Sequence, residues 1–186
     1  MIDFKNLVDG KLVNLIEINK NFISDMHDYS IDQRLYEHLE FEKHKTIKDT
    51  EIYFDKLLKR HQQINAHYYF IQNKLNLKVI GSIGVHDIDL RKMSCEISYG
   101  LSPTYWGKGI FIDTLEILLK DLFTIKNFNR VQAITSVKNL SSIKSLEKFN
   151  FKKEGVLRDF YRSSKFSYFD AQILALLKKD YIAKEN

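Results

Sequence analysis

Two glycines and a lysine between a predicted strand and a predicted helix form a candidate binding site. The strand ends near Leu101, the single proline Pro103 follows it, and residues 107–109 (Gly-Lys-Gly) lead into a helix from about Ile110. Glycine permits tight turns and the close approach of a ligand. The first turn of a helix offers unpaired amides and the positive end of its dipole. This pattern predicts an anion site, most often for phosphate; a plain tight connection is the alternative.

Two other phosphate-binding motifs do not fit these residues. A P-loop requires Ser or Thr after its lysine, but Lys108 is followed by Gly109. A dinucleotide fingerprint requires a third glycine, but position 112 is isoleucine. These two classes of phosphate loop are therefore set aside, and the choice between another kind of anion site and a plain tight connection stays open.

A second stretch, over residues 139–151, predicts a helix with polar ends. Asn139 stands near its N-cap, where asparagine accepts a bond from a helix amide. Asn150 falls just past its end, where a left-handed residue is favoured and asparagine tolerates positive φ.

Together the two stretches resemble the GNAT acyltransferases. Residues 101–111 are similar to the pyrophosphate motif Q/R-x-x-G-x-G/A, and especially to the Y-W-G-x-G of bacterial ribosomal-protein N-terminal acetyltransferases. Residues 139–151 are similar to the family segment N-x-x-S-x-x-x-x-E-K-x-G-F. Thr104 replaces the usual Gln or Arg, and Asn150 the usual glycine. The resemblance covers roughly residues 67–180 and implies acetyl transfer from acetyl-CoA, a co-substrate, to a primary amine by direct attack and without a metal.

The resemblance also implies how acetyl-CoA is held. The amides of residues 106–111 would face the pyrophosphate with Lys108 nearby, and the main chain of residues 97–101 would pair with pantetheine like an added strand. Asn139 would contact pantetheine or the neighbouring chain, with pure helix capping as the alternative. The predicted cofactor-binding residues are Ile97, Tyr99, Leu101, Trp106, Gly107, Lys108, Gly109, Ile110, Phe111, Asn139 and Ser142.

A carboxylate and two hydroxyls are the catalytic candidates. Glu96, on the polar face of the strand that leads to the glycine loop, is the candidate base, because GNAT enzymes often have a carboxylate there. Ser142 matches the family serine thought to protonate the leaving thiolate, and Tyr161, near a strand end, is a second candidate. The alternatives are an exposed strand glutamate for Glu96, and capping or packing for the two hydroxyl residues. Cys95 falls on the apolar strand face, which argues against a nucleophile.

The elements that would position these residues alternate between strands and helices. Apolar patterning predicts strands over 11–17, 68–71, 78–86, 92–101, 130–136, 156–161 and 166–177, and helices within 19–44, over 47–64, from about 110 and over about 139–150. Asp49 or Thr50 is expected to start the second helical region. A helix joins strands 92–101 and 130–136, so these two should be parallel. The order is that of an α/β (α+β) GNAT fold: a central mixed, mostly antiparallel sheet of six or seven strands with helices on both faces.

Composition limits the remaining possibilities. The 186 residues predict one domain, with 44% hydrophobic and 28% charged residues as in ordinary globular proteins. One cysteine and six histidines without metal-ligand spacing predict neither a disulfide nor a metal site. No apolar run of about 18 residues occurs, and residues 1–5 lack the apolar core of a signal peptide, so no membrane contact and a cytoplasmic location are expected.

The amine acceptor is the open question. The cofactor core is expected at about 92–151, and regions 19–66 and 153–166 should shape the acceptor pocket. Their aromatic residues are Tyr29, Tyr36, Phe41, Phe160, Tyr161 and Phe166. They suit a peptide α-amine, but also a nucleotide-linked amino sugar or another small amine. The net charge of +5 suits an anionic nucleotide-sugar better than a cationic polyamine. A non-catalytic acyl-CoA-binding domain is the alternative of another class. A nucleic-acid-binding module would suit the pI of about 9.1, but interleaved charges argue against it. The protein is expected to act as a monomer or homodimer.

Overall fold

Seven strands form one sheet in the computed structural model, which describes residues 4, 9–163 and 167–185. The strands are β1 (Val13–Glu17), β2 (His67–Asn73), β3 (Val79–Asp89), β4 (Ser94–Leu101), β5 (Arg130–Ser136), β6 (Lys152–Arg162) and β7 (Tyr168–Leu177). The helices are α1 (Ile23–Ser30), α2 (Ile47–His61), α3 (Ile110–Lys120), α4 (Leu140–Glu147) and α5 (Lys178–Glu185). None of the helices in these described ranges is long and apolar enough to cross a bilayer.

The spatial order of the strands is β1-β2-β3-β4-β5-β7-β6. β4 and β5 are parallel, as predicted from the helix that joins them, and the other neighbouring pairs are antiparallel. The predicted mixed, mostly antiparallel sheet is therefore confirmed.

Helices cover both faces of the sheet and form two cores. On one face, α3 and α4 pack against the apolar side of β4, through residues such as Cys95, Ile97, Leu115, Leu118 and Leu146. On the other face, α1 and α2 pack against β2 and the start of β3, through Met26, Phe54, Leu57, Tyr68, Phe70 and Val79. Because side chains alternate along a strand, the residues of β4 between its core positions face the α1–α2 side.

Two predicted bounds needed correction. α2 ends at His61 rather than near 64, and β3 continues past the predicted residue 86 to Asp89, because it still pairs with Ser94 of β4 after a register shift. Of the two residues expected to start α2, Asp49 is confirmed, since it forms a capping box with Thr46, whereas the Thr50 hydroxyl is buried and bonded to two histidine side chains.

A C-terminal helix was missed. α5 carries too few apolar residues to show a helical pattern in the sequence. It packs on the core through Tyr181, whose ring stacks on that of Phe123 with 5.0 Å between the ring centroids.

Candidate active site

The glycine loop between β4 and α3 leaves open space beside its backbone. Pro103–Tyr105 forms one 3-10 turn, and Gly107 and Gly109 then adopt left-handed backbone with φ of 72° and 77°. A side chain there would strain the backbone. Space is not the constraint, because a Cβ at Gly107 would meet no described heavy atom within 4 Å. The loop thus forms an open cradle of main chain, in a conformation that glycine adopts without strain.

The first turn of α3 supplies the amides of this cradle. Gly109 is the N-cap, its carbonyl accepts from the Asp113 amide at 3.0 Å, and no side chain in the described structure caps the helix start. The amides of Ile110 and Phe111 are therefore free for a ligand. Lys108 is exposed, with its Nζ 5.4 Å from the centre of the Tyr105 ring. Amides, helix dipole and lysine all favour an anion.

A buried carboxylate anchors this helix start to β1. Asp113 accepts hydrogen bonds from the amides of Lys11 at 2.9 Å, Leu12 at 2.7 Å and Val13 at 3.0 Å. These partners lie 100 to 102 residues earlier in the chain. An acidic residue in the first turn of a helix is a recognisable signal, but the sequence did not indicate what it would bind.

β4 and β5 separate after a short pairing. Their parallel register covers Ser94–Glu96 against Arg130–Gln132, whereas β3 stays beside β4 as far as Leu101. A gap therefore opens between β4 and β5 on the side of the glycine loop.

The edge of β4 that faces this gap offers main-chain groups. The Ser102 amide donates to the Ile80 carbonyl of β3 at 2.8 Å. Main-chain groups alternate in direction along a strand, so those of Tyr99 and Leu101 point away from β3 and into the gap. Trp106 donates its indole N–H to the Leu101 carbonyl at 2.8 Å and closes this edge near the glycine loop. The main chain of β4 before this point, at Tyr99, can hydrogen-bond to an extended ligand that carries amides.

The hydroxyls of Tyr99 and Ser142 share a hydrogen bond, with 2.7 Å between their oxygens. The Tyr99 ring packs on Phe111 of α3, with 4.2 Å between ring centroids, and Ser142 lies buried in the first turn of α4. Burial raises the pKa of Tyr99, and its bond with Ser142 offsets this only in part. Both groups are therefore protonated at neutral pH. One of the two hydroxyl protons lies in the bond between the two oxygens, and the other can be donated to a third group.

Asn139 caps α4. Its Oδ1 accepts from the Ser142 amide at 3.1 Å and from the Ser141 hydroxyl at 2.9 Å. With that oxygen used, any contact with pantetheine would fall to its side-chain nitrogen. Past the helix end, Asn150 has the expected left-handed backbone, with φ of 65°.

Glu96 is held on the polar face of β4 at the point where β4 and β5 separate. Its Oε2 accepts from the Gln132 side-chain nitrogen at 3.0 Å, and the two residues form the last pair of the β4–β5 register. Gln132 was not among the predicted site residues, because the sequence did not reveal the register that places it beside Glu96.

His86 and Asp87 of β3 lie next to Glu96. His86 is the cross-strand partner of Glu96, and its Nδ1 is 2.8 Å from the Asp87 carboxylate. One possible ligand atom from each of the three residues lies within 4.8 Å of the others. Sequence spacing could not indicate this group, because strand pairing creates it. Asp87 is exposed, and exposed polar groups also cluster without binding a cation.

Tyr161 is engaged with the backbone. Its hydroxyl donates to the Ile134 carbonyl at 3.1 Å, in the part of β5 that has separated from β4. Burial raises the pKa of Tyr161 to about 12, and the charges of Glu96 and Glu40 act in the same direction. The structure therefore brings Tyr161 near Glu96, with its proton already shared with a carbonyl.

The predicted acceptor aromatics divide into core and surface residues. Tyr29 is buried in the α1–α2 core and also lines a cleft of the described structure, and Tyr36 is buried beside it. Phe41 and Phe160 are 59% and 48% exposed; Phe166 lies outside the described residues. Cys95 is buried as predicted, and burial raises the pKa of its thiol to about 12, so it is protonated at neutral pH.

Known protein families support this architecture. The family model described as an acetyltransferase (GNAT) domain matches residues 18–152. The chain belongs to the GNAT family. The uncharacterized N-acetyltransferase p20 of Bacillus licheniformis is 38% identical over 116 residues, which are 62% of this chain and 65% of p20. The match thus spans just under two thirds of that relative.

Solved GNAT structures share the fold over nearly the whole chain. A GCN5-related N-acetyltransferase from Brucella melitensis superposes with a TM-score of 0.87 at 18% identity, covering 97% of this chain and 82% of that one. The ribosomal-protein-S5-alanine acetyltransferase of Vibrio fischeri superposes with a TM-score of 0.78 at 20% identity, covering 95% and 98%. At these identities the likeness establishes the GNAT fold alone.

Proposed function

We propose that this chain is an acetyl-CoA-dependent N-acetyltransferase whose acceptor is the α-amino group of a peptide or protein N-terminus. The observation that carries the proposal is the position of Glu96. It is a carboxylate held by Gln132 where β4 and β5 separate. It lies on the face of β4 opposite to the Tyr99–Ser142 hydroxyl pair. A proton acceptor and a proton donor thus flank the gap from its two faces.

The donor half of the site fits acetyl-CoA. The open cradle at Gly107 and the first amides of α3 suit a pyrophosphate. The edge of β4 at Tyr99 suits the amides of pantetheine, which would place the thioester in the gap. Lys108 can add a charge-assisted contact to a phosphate.

The proton requirement favours an α-amine. At pH 7 an α-amino group with a pKa of about 7.7 to 8.0 is neutral roughly one time in ten, and a lysine near 10.4 only about once in 2,000. A single half-buried carboxylate is therefore sufficient help for an α-amine. The amine nitrogen forms a bond to the thioester carbonyl carbon as the carbon–sulfur bond breaks. The amine proton goes to Glu96, directly or through water, and the thiolate takes a proton from the Tyr99–Ser142 pair.

An N-terminal acceptor also agrees with the name of one protein that shares the fold, the ribosomal-protein-S5-alanine acetyltransferase of Vibrio fischeri. A nucleotide-linked amino sugar is the second candidate, because Phe41 and Phe160 are exposed aromatic faces and the net charge is +5. We also propose one domain over residues 1–186, with a donor core at 92–151, acceptor regions at 19–66 and 153–166, and a cytoplasmic location.

A mass-spectrometric transfer assay tests this function. The protein is incubated with acetyl-CoA and a pool of peptides with free N-termini, polyamines, aminoglycosides and nucleotide-linked amino sugars. We expect acetylation of peptide α-amines, reduced about a hundredfold by Glu96→Gln and unchanged by Glu116→Gln, whose carboxylate is exposed on α3.

Other outcomes would replace the proposal. A labelled amino sugar would select the second candidate. An unmodified pool together with calorimetric binding of acetyl-CoA would identify a non-catalytic acyl-CoA-binding domain.

A further inference from the structure

We propose that Gln132 and Arg130 are positioning residues that fix the Glu96 carboxylate in place through its Oε2. The inference rests on the proposed function, in which Glu96 is the base. It adds two residues that neither the glycine loop nor the α4 segment contains, and it assigns them a role through Glu96 rather than through the substrate.

The orientation of the Gln132 amide follows from its neighbours. Arg130 donates to the Gln132 oxygen from Nε at 3.3 Å and from Nη2 at 3.1 Å. Because a guanidinium carries donors only, the amide must turn its oxygen toward Arg130. Its NH2 group then faces Glu96, 3.0 Å from Oε2. Gln132 can therefore only donate to Glu96, and a donor stabilises a carboxylate in its charged form.

Arg130 is itself held by a residue of β6, the strand at the edge of the sheet. Its Nη1 and Nη2 donate to the two carboxylate oxygens of Glu154 on β6, at 2.9 Å and 2.6 Å. Such two-pronged pairs set geometry as well as energy. The chain of contacts thus runs from Glu154 through Arg130 and Gln132 to Glu96, and it crosses β7 between β6 and β5.

The other charged and titratable groups around Glu96 come from several elements. His86 and Asp87 approach from β3, Tyr161 from β6 with Glu40 beside it, and Cys95 is the neighbour on β4 itself. Asp87 and Glu40 are carboxylates, which oppose a further negative charge. In the described structure Gln132 is the side chain hydrogen-bonded to Glu96. Its donor is therefore the contact that sets the position of the Glu96 carboxylate.

The test is a double-mutant cycle on acetyl transfer to the peptide acceptors, in which Gln132→Leu is compared in the wild-type and Glu96→Gln backgrounds. In the wild-type background we expect Gln132→Leu to lower kcat about tenfold with little change in the acceptor KM, and in Glu96→Gln we expect almost no effect, because the role of Gln132 passes through that carboxylate. Arg130→Gln should lower kcat by less, because the freed amide can still donate part of the time. The matched control is Gln72→Leu, which removes a similar glutamine bond, to the Leu77 carbonyl.

The outcomes separate this inference from the proposed function. If Glu96→Gln lowers kcat while Gln132→Leu leaves it unchanged, or lowers it equally in both backgrounds, the inference is overturned, whatever the enzyme acetylates. An unchanged kcat in Arg130→Gln, with a loss in Gln132→Leu, would overturn the role of Arg130. If Glu96→Gln itself leaves acetyl transfer intact, the base of the proposed function is wrong.

Discussion

The two proposed halves of the site are built in different ways. The proposed donor side depends on main chain: the glycine loop, the first amides of α3 and the edge of β4 at the gap all lie within residues 97–111. The proposed acceptor side depends on side chains from separate elements, with Glu96 on β4, Gln132 on β5, His86 on β3 and Tyr161 on β6. One site is continuous along the chain, and the other exists only after the strands have paired.

This difference explains what each half can tolerate. A main-chain site depends on backbone conformation, so it fails where a residue cannot adopt the required φ. A site made of side chains can instead change one group at a time without loss of the fold. Donor binding should therefore be sensitive at glycines, and acceptor chemistry at polar residues.

Gly107→Val should give the largest effect. Valine is strained at φ of 72°, and its Cβ would occupy the open space of the cradle. We expect acetyl-CoA binding, measured by calorimetry, to weaken at least about a hundredfold while circular dichroism shows a folded protein.

The control for that variant is Gly155→Val in β6. Gly155 lacks positive φ, and its Cβ would have its nearest contact with Ile173 at 3.9 Å. Its acetyl-CoA affinity should be normal. If Gly107→Val also binds acetyl-CoA with normal affinity, the glycine loop does not form the binding site, and the proposal that the donor site is made of main chain is wrong.

The local conformation of the glycine loop was predictable from the sequence for this reason. A strand end, two glycines and a helix start lie next to one another in the chain, and each has a local conformational meaning, as the left-handed Gly107 and Gly109 show. The N-cap at Asn139 was predicted for the same reason. Gln132 and the three partners of Asp113 were not, because their contacts depend on strand register and on residues up to 102 positions away.

Ser142→Ala tests the proposed proton donor, which lies on the face of β4 opposite to Glu96. Removal of the hydroxyl leaves Tyr99 without its partner at 2.7 Å. We expect kcat to fall about a hundredfold, with little change in acetyl-CoA affinity, and Tyr99→Phe to cause a smaller fall. The double variant should lose less than the product of the two effects, since both hydroxyls belong to one pair.

Ser141→Ala is the control, because Ser141 is the exposed neighbour of Ser142. An equal kcat in all of these variants would assign Ser142 to packing alone.

Asp113→Asn should lower stability rather than chemistry. The amide keeps one acceptor oxygen but turns its NH2 group toward an amide of residues 11–13, where the carboxylate now accepts three bonds. We expect the free energy of unfolding to fall by about 1 to 3 kcal/mol in urea titrations. Asp55→Asn, which breaks an exposed ion pair with Lys20, should cost under about 1 kcal/mol. Equal losses would show that Asp113 is not an anchor of the donor side.

Tyr161→Phe should have the smallest effect on activity. The Tyr161 hydroxyl already donates to the Ile134 carbonyl, so its loss leaves that carbonyl unpaired and should cost about 1 kcal/mol of stability with at most about a threefold change in kcat.

The pKa of Tyr161 is about 12, above the ordinary 10.0, so folding favours the neutral form. The stability gained from this preference is present below pH 10 and is lost as the pH rises through about 12. The difference between wild type and variant should therefore narrow above pH 10. A hundredfold loss of kcat at unchanged stability would instead make Tyr161 the proton donor, and would mean that the acceptor face supplies both the base and the acid.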